Sequence, residues 1–180
     1  RGFGLSVLND GKYGHRVKDG LISLNLLRAP IYPDRTADRG RHRFSYALHP
    51  HEGPLGASTT QEARHLNAPA VIAAVPPSAP AFVVSPETVL LDTVTLDAAS
   101  GDLVLRLYES AGVATRASLA LGAVWRRGGS GAGDEASAGL EALAQRARRT
   151  NLLLDDLGPA DLGTLELHPF ELVTLRIPRR

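Results

Sequence analysis

The sequence has 180 residues, which suits one domain or two small ones and allows a substantial hydrophobic core. A net charge of +1 argues against a dedicated nucleic-acid-binding protein, and the lack of cysteine excludes disulfides and thiolate metal sites. Because the chain contains no methionine, we expect that Arg1 is not a native start.

The chain opens with a polar turn between two predicted strands. Phe3, Leu5 and Val7 alternate with small residues, so they point to one face of the first strand. Gly11 and Gly14 then supply backbone conformations that allow a sharp turn. Four functional side chains lie on the outside of this turn: Asn9, Asp10, Lys12 and Tyr13.

A second hairpin follows directly. The Asp19-Gly20 pair predicts a two-residue turn with positive φ between residues 16–18 and 21–26. Residues 31–40 contain two prolines and several charges, which predicts a long surface loop.

Another strand follows that loop, and a helix comes after it. Phe44, Tyr46 and Leu48 alternate with other residues, which predicts a strand with one buried face that ends at Pro50. Ser58 and Gln61 have capping-box spacing, so we predict a short helix over residues 59–66.

Four prolines within residues 68–84 exclude a membrane-spanning helix. We predict that this segment forms a strand at 70–75 followed by a proline-rich linker.

The second half carries many short alternating segments with turn signals between them. A glycine-rich loop is predicted at 128–133 and a helix at 135–149. The pattern indicates an all-β protein, an antiparallel β-sandwich with one or two short helices. The predicted strands are residues 88–96, 103–109, 114–121, 151–154, 164–168 and 170–177.

Six segments, in the same order, resemble the C-terminal region of glycoside hydrolase family 38, the α-mannosidases. They are residues 2–15, 21–34 and 38–53 near the start, with 84–94, 103–110 and 165–177 in the second half. The resemblance implies that residues 1–80 end a large galactose-mutarotase-like sandwich. It also implies that residues 81–180 form a small terminal β-sandwich domain.

The resemblance implies a role without catalysis for this segment. The parent enzyme would hydrolyse terminal α-mannosides with retention, using an aspartate nucleophile and a divalent metal ion, expected to be zinc. Nothing in this chain resembles those groups, so we expect no catalytic residue, no metal ligand and no cofactor here. The expected partners are the upstream catalytic domain and an α-mannoside, with no nucleic acid and no membrane. A homo-oligomer is compatible with the sequence, and the expected location is cytoplasmic.

The resemblance also implies that Asn9, Asp10, Lys12 and Tyr13 approach bound mannoside. A carboxylate accepts hydrogen bonds from sugar hydroxyls, an ammonium donates them, and a phenol does both. The structural alternative is a polar turn that satisfies its own backbone, as Asn and Asp often do.

Three histidines at positions 42, 49 and 51 are close enough in the sequence to suggest a metal-binding site. We expect surface or packing roles instead, because Pro50 should interrupt the strand between His49 and His51. In the terminal motif that begins at His168, we expect Phe170 to anchor the core and Glu171 to pair with a basic residue.

Two other classes of function stay open: a stand-alone carbohydrate-binding module and a purely structural or oligomerisation domain. A binding module would need exposed aromatic side chains that stack on sugar rings. With one tryptophan and four tyrosines, the chain offers few such side chains, which favours the structural interpretation.

Overall fold

The computed structural model describes residues 2–68, 70, 80–121 and 142–178. The chain divides into two compact units, which are Arg1–Val71 (unit 1) and Ile72–Arg180 (unit 2). Every strand pairing among the described residues is antiparallel, which confirms the predicted fold class. No helix in the described part of the chain is long and apolar enough to cross a membrane.

Unit 1 contains two two-stranded sheets and one helix, with β1 paired to β4 and β2 paired to β3. Asp19 and Gly20 have φ values of 52° and 74°, which confirms the predicted two-residue turn between β2 and β3. The elements are β1 (Phe3–Asn9), β2 (Gly14–Lys18), β3 (Leu21–Asn25), β4 (Tyr46–Glu52) and α1 (Ala57–Asn67).

Strand β4 differs from its prediction in two respects. It begins at Tyr46, after Phe44, and it continues through Pro50, which lies opposite Leu5 of β1. Because β4 is an edge of its two-stranded sheet, the missing N–H of Pro50 breaks no second ladder. The predicted buried face is wrong as well, since Tyr46 and Leu48 are each 63% exposed.

Helix α1 is longer than predicted and starts without the expected capping box. Its N-cap is Gly56 in an extended conformation, with no side-chain capping hydrogen bond, and Ser58 already lies inside the first turn. At the other end the Ala68 N–H donates to the Arg64 carbonyl at 2.7 Å. The helix packs against β1 and β4.

Unit 2 is a β-sandwich of a five-stranded sheet (β10-β9-β12-β7-β6) and a three-stranded sheet (β11-β8-β5). Both sheets contribute to one core, with Leu105, Leu107 and Leu175 from the larger sheet and Leu119 and Leu165 from the smaller. The predicted pairing of β6 with β7 is confirmed. The strands are β5 (Phe82–Ser85), β6 (Val89–Leu96), β7 (Leu103–Glu109), β8 (Thr115–Leu121), β9 (Arg148–Thr150), β10 (Asp156–Pro159), β11 (Leu165–Leu167) and β12 (Leu172–Ile177).

Two predictions between β8 and β10 are wrong. Residues 142–145 are helical, but the predicted helix does not reach residue 149, because Arg148–Thr150 pairs with β12 as a strand. Residues 151–154 form a turn in place of the predicted strand, since the Asn151 Oδ1 accepts hydrogen bonds from two backbone N–H groups. The rest of the predicted helix, the glycine-rich loop and nearly all of the 70–75 strand and its linker lie outside the described residues.

A fully buried carboxylate organises one end of the sandwich. The side chain of Glu109 accepts hydrogen bonds from the backbone N–H groups of Ala111, Gly112, Val113 and Phe170 at 2.7–3.2 Å. Burial alone would raise the pKa of Glu109, but these hydrogen bonds together outweigh it and hold the pKa below its ordinary value. Glu109 therefore joins the loop after β7 to the loop before β12.

The prediction that Phe170 anchors the core is wrong. Its side chain is 72% exposed, and its ring lies over Gly112, where an added Cβ would come within 2.6 Å. The backbone at Phe170 has a left-handed φ of 58°. The second prediction for this motif is confirmed, because Glu171 forms an ion pair with Arg149 at 2.5 Å.

Candidate functional site

The polar turn of unit 1 connects β1 to β2, and side-chain hydrogen bonds of Asn9 stabilise it. The Oδ1 atom of Asn9 accepts hydrogen bonds from the N–H groups of Gly11, at 3.0 Å, and of Lys12. Gly11 has a φ of +107°, a conformation that L side chains rarely adopt. The side chain of Asn9 thus replaces part of the backbone hydrogen bonding that the turn would otherwise lack.

Asp10 ties the turn to the segment that precedes β4. Its Oδ2 accepts a hydrogen bond from the Ser45 N–H at 2.7 Å, and its own N–H donates to the Ser45 carbonyl at 3.2 Å. Asn9 and Asp10 are therefore engaged by backbone groups, as the structural alternative requires. Their contact with a substrate stays a prediction.

Lys12 and Tyr13 extend away from the backbone of the turn. The Lys12 Nζ lies 4.5 Å from the centroid of the Phe44 ring, a cation–π contact. The Phe44 ring in turn stacks on His42 with a centroid distance of 6.0 Å. The side chain of Tyr13 is 97% exposed. These two side chains can reach a ligand without breaking the turn.

A cavity of about 270 Å³ lies beside the turn, between it and the segment that follows β3. Two of its lining residues, Lys12 and Tyr13, were predicted from the sequence as site residues. Three further polar lining residues were not predicted: Asn25, Arg28 and Asp38. The remaining lining residues are Gly11, Gly14, Leu26 and Leu27.

The register of the second hairpin could have revealed part of this cavity. A two-residue turn at Asp19-Gly20 pairs Lys18 with Leu21, and counting outward pairs Gly14 with Asn25. Gly14 is needed at this pair, since an added Cβ would lie 2.9 Å from the Cβ of Asn25. No comparable local signal places Asp38, which comes from the long loop.

Asp38 shapes the wall of the cavity next to Arg28. Its Oδ2 accepts a hydrogen bond from the Ala29 N–H at 2.8 Å, and its carbonyl oxygen lies 2.8 Å from the Nε2 of His42. The cavity therefore combines cationic donors from Lys12 and Arg28 with a carboxylate and a phenol. This set of groups can donate hydrogen bonds to hydroxyl groups and accept hydrogen bonds from them.

The expected interruption of the strand between His49 and His51 is wrong. Because the strand continues through Pro50, His49 and His51 share a face, with their ring centroids 5.7 Å apart. The His51 Nε2 lies 3.0 Å from the Ser6 Oγ, and the His51 ring covers Gly4. Within the described residues, no group of three or more His, Asp or Glu side chains is placed to hold a metal ion.

Two family models match the chain. The model described as the glycosyl hydrolases family 38 C-terminal domain matches residues 1–36, which include the turn. The model described as the glycosyl hydrolases family 38 C-terminal beta sandwich domain matches residues 88–175, which include most of the unit 2 sandwich. The chain belongs to glycoside hydrolase family 38. It spans part of the C-terminal region of that family.

The curated relatives agree with this assignment. The chain is 49% identical over 120 residues to alpha-mannosidase 2C1 of Homo sapiens, a match that covers 62% of this chain and 12% of the relative. It is 38% identical over 122 residues to alpha-mannosidase G of Dictyostelium discoideum, covering 63% of this chain and 11% of the relative. An alpha-mannosidase of Saccharomyces cerevisiae is 45% identical over 64 residues, which are 36% of this chain and 6% of the relative. The chain thus matches about an eighth or less of the length of each of these relatives.

Proposed function

We propose that this chain is the non-catalytic C-terminal β region of an α-mannosidase, and that it supports the catalytic domain of that enzyme. The names of the relatives support the activity, and the two family models support the position within the polypeptide. The enzyme would hydrolyse terminal α-mannosides with retention. Its nucleophile and its divalent metal ion, expected to be zinc, would come from the upstream catalytic domain. A cytoplasmic location stays a prediction.

The second part of the proposal is that the cavity beside the turn lines the substrate cleft of the full-length enzyme, the longer polypeptide that carries this chain. One observation carries it: Lys12 and Tyr13 face a cavity together with Arg28 and Asp38, while Asn9 anchors the turn behind them. A purely structural turn needs Asn9 and Asp10, but it has no requirement for an ammonium and a phenol beside the cavity.

The exposed apolar side chains of unit 1 support the proposed role as the end of a larger sandwich. Phe3, Leu5, Tyr46 and Leu48 are all exposed on the β1–β4 sheet, although their alternation is typical of a buried face. Contact with the upstream part of the enzyme would remove this surface from water. Alternatively, contact with a second copy of the enzyme would cover this apolar surface.

The test is the replacement Lys12→Ala in the full-length enzyme, assayed with an aryl α-mannoside. A charge-assisted hydrogen bond to substrate contributes about 1.5–3 kcal/mol, so we expect kcat/KM to fall about ten- to a hundredfold. The melting temperature should change little, because the Lys12 contact with Phe44 is a cation–π contact near the surface worth about 0.5–1 kcal/mol.

The matched control is Lys18→Ala, which removes an exposed lysine on β2 whose ion pair with Asp19 spans 3.9 Å. This control should retain full activity. The isolated 180-residue chain should show no turnover with or without added zinc. Full activity of Lys12→Ala, or its unfolding, would mean that the turn is scaffolding, and turnover by the isolated chain would refute the non-catalytic role.

A further inference from the structure

The last residue of α1 reaches the turn that carries Lys12. The Nδ2 atom of Asn67 donates hydrogen bonds to the carbonyl oxygen of Asn9 at 3.0 Å and to that of Ala63 at 2.9 Å. Both partners are carbonyl oxygens, and the two N–H groups of the amide can donate to both at once. The side chain of Asn67 therefore links the helix to the first peptide of the turn.

The contacts of Asn67 and Asn9 form a continuous series. Asn67 holds the main-chain carbonyl of Asn9, and the side chain of Asn9 holds the N–H groups of Gly11 and Lys12. The helix itself is fixed to the sheet by packing against β1 and β4. The orientation of the Lys12 backbone thus depends on the helix through two side-chain amides.

We infer that Asn67 is a positioning residue for the substrate cavity, acting through Asn9 on Lys12. This inference rests on the proposed function, since it concerns the cavity that we propose lines the cleft. Asn67 itself does not line that cavity. Its contribution is to restrict the turn to the conformation in which Lys12 lines the cavity.

The experiment compares two substitutions in the full-length enzyme, Asn67→Asp and Asn67→Ala. Asn67→Asp preserves the shape of the side chain but replaces both donors by an acceptor that repels the two carbonyl oxygens. Asn67→Ala removes the side chain without adding a charge. Glu62→Ala is the matched control, because Glu62 is an exposed α1 residue whose carboxylate lies 3.8 Å from the Nδ1 of His65.

Two quantities are measured: KM and kcat for an aryl α-mannoside, and the hydrogen-exchange rates of the Gly11 and Lys12 amides. A net hydrogen bond is typically equivalent to a two- to tenfold change in equilibrium, so we expect about that rise in KM for both Asn67 variants. The two amides should exchange faster by a similar factor, while the amides of β1 stay protected. Glu62→Ala should alter neither quantity.

The outcomes separate this inference from the proposed function. If Lys12→Ala lowers kcat/KM but both Asn67 variants have unchanged KM, the positioning role is overturned and the proposed function stands. If Lys12→Ala has no effect, the proposed function fails and the inference fails with it. Loss of protection throughout β1 and α1 would show a general folding role for Asn67, which also overturns the inference.

Discussion

The two units use similar alternating sequences but bury them to different extents. In unit 2, two sheets face each other across a shared core, and Leu105, Leu107 and Leu175 are fully buried. In unit 1, Leu8 is the one buried apolar side chain among the described residues. Its other strand residues include exposed Phe3 and Leu48, which lie on the same sheet.

This difference shows what strand periodicity does and does not determine. An alternating pattern specifies that one face of a strand is apolar. It does not specify whether the surface that covers this face lies in the same segment of chain. Unit 2 supplies both layers of its sandwich, whereas the described residues of unit 1 leave the apolar face of β1 and β4 exposed.

The largest effect should come from the core of unit 2. Leu105→Ala removes a fully buried side chain from the middle of β7, and we expect a loss of about 2–5 kcal/mol in the free energy of unfolding. Urea denaturation of the 180-residue chain, followed by circular dichroism, measures this loss.

The matched control for that prediction is Leu96→Ala at the end of β6, where the side chain is 52% exposed. It should cost less than about 1 kcal/mol. Equal losses for the two variants would mean that unit 2 lacks the tight core that distinguishes it from unit 1.

A smaller effect should follow from Glu109→Gln at the end of the same strand. The amide preserves the shape of the side chain but weakens the hydrogen bonds to four backbone N–H groups, for an expected loss of about 1.5–3 kcal/mol. Glu87→Gln, which changes an exposed carboxylate near β6, should have almost no effect.

The same carboxylate predicts a loss of stability in acid. The pKa of Glu109 is lower in the folded chain than its ordinary value of 4.5. Its contribution is therefore fully present above about pH 4.5 and is lost as the pH falls through the lower pKa of the folded state. Repeating the urea titration from pH 6 to pH 3 should show a shallower decline for Glu109→Gln than for the wild type. Parallel declines would contradict this assignment.

Local patterns in the sequence predicted much of the fold. Alternation located β6 and β7, and the Asp19-Gly20 pair located a hairpin whose register also places Asn25 beside the turn. These features depend on neighbouring residues, so one sequence is enough to recognise them. The family resemblance, which the two family models confirm, also rests on contiguous motifs.

The errors concern features that depend on distant residues. Arg148 and Arg149 favour a helix locally, but pairing with β12 makes them a strand. Phe170 has a core-type side chain, but it is exposed, and its N–H donates to the distant carboxylate of Glu109. The link from Asn67 to Asn9 spans 58 residues, and neither residue signals it in the sequence.

The smallest effect in this chain should come from the exposed face of unit 1, and it tests the comparison most directly. Leu48→Ser changes a side chain that is largely exposed, so it should alter the stability of the 180-residue chain by less than about 0.5 kcal/mol. In the full-length enzyme, the proposed contact buries this face, and the same substitution would place a hydroxyl where a leucine packs. Loss of a buried leucine typically costs about 2–5 kcal/mol, so hydrogen exchange in β1 and β4 should accelerate markedly there.

The control is Leu96→Ser, at an exposed position of unit 2. It should change neither the stability of the 180-residue chain nor hydrogen exchange in the full-length enzyme. If Leu48→Ser is equally silent in the full-length enzyme, that enzyme leaves the face exposed, and the role of unit 1 as the end of a larger sandwich is wrong.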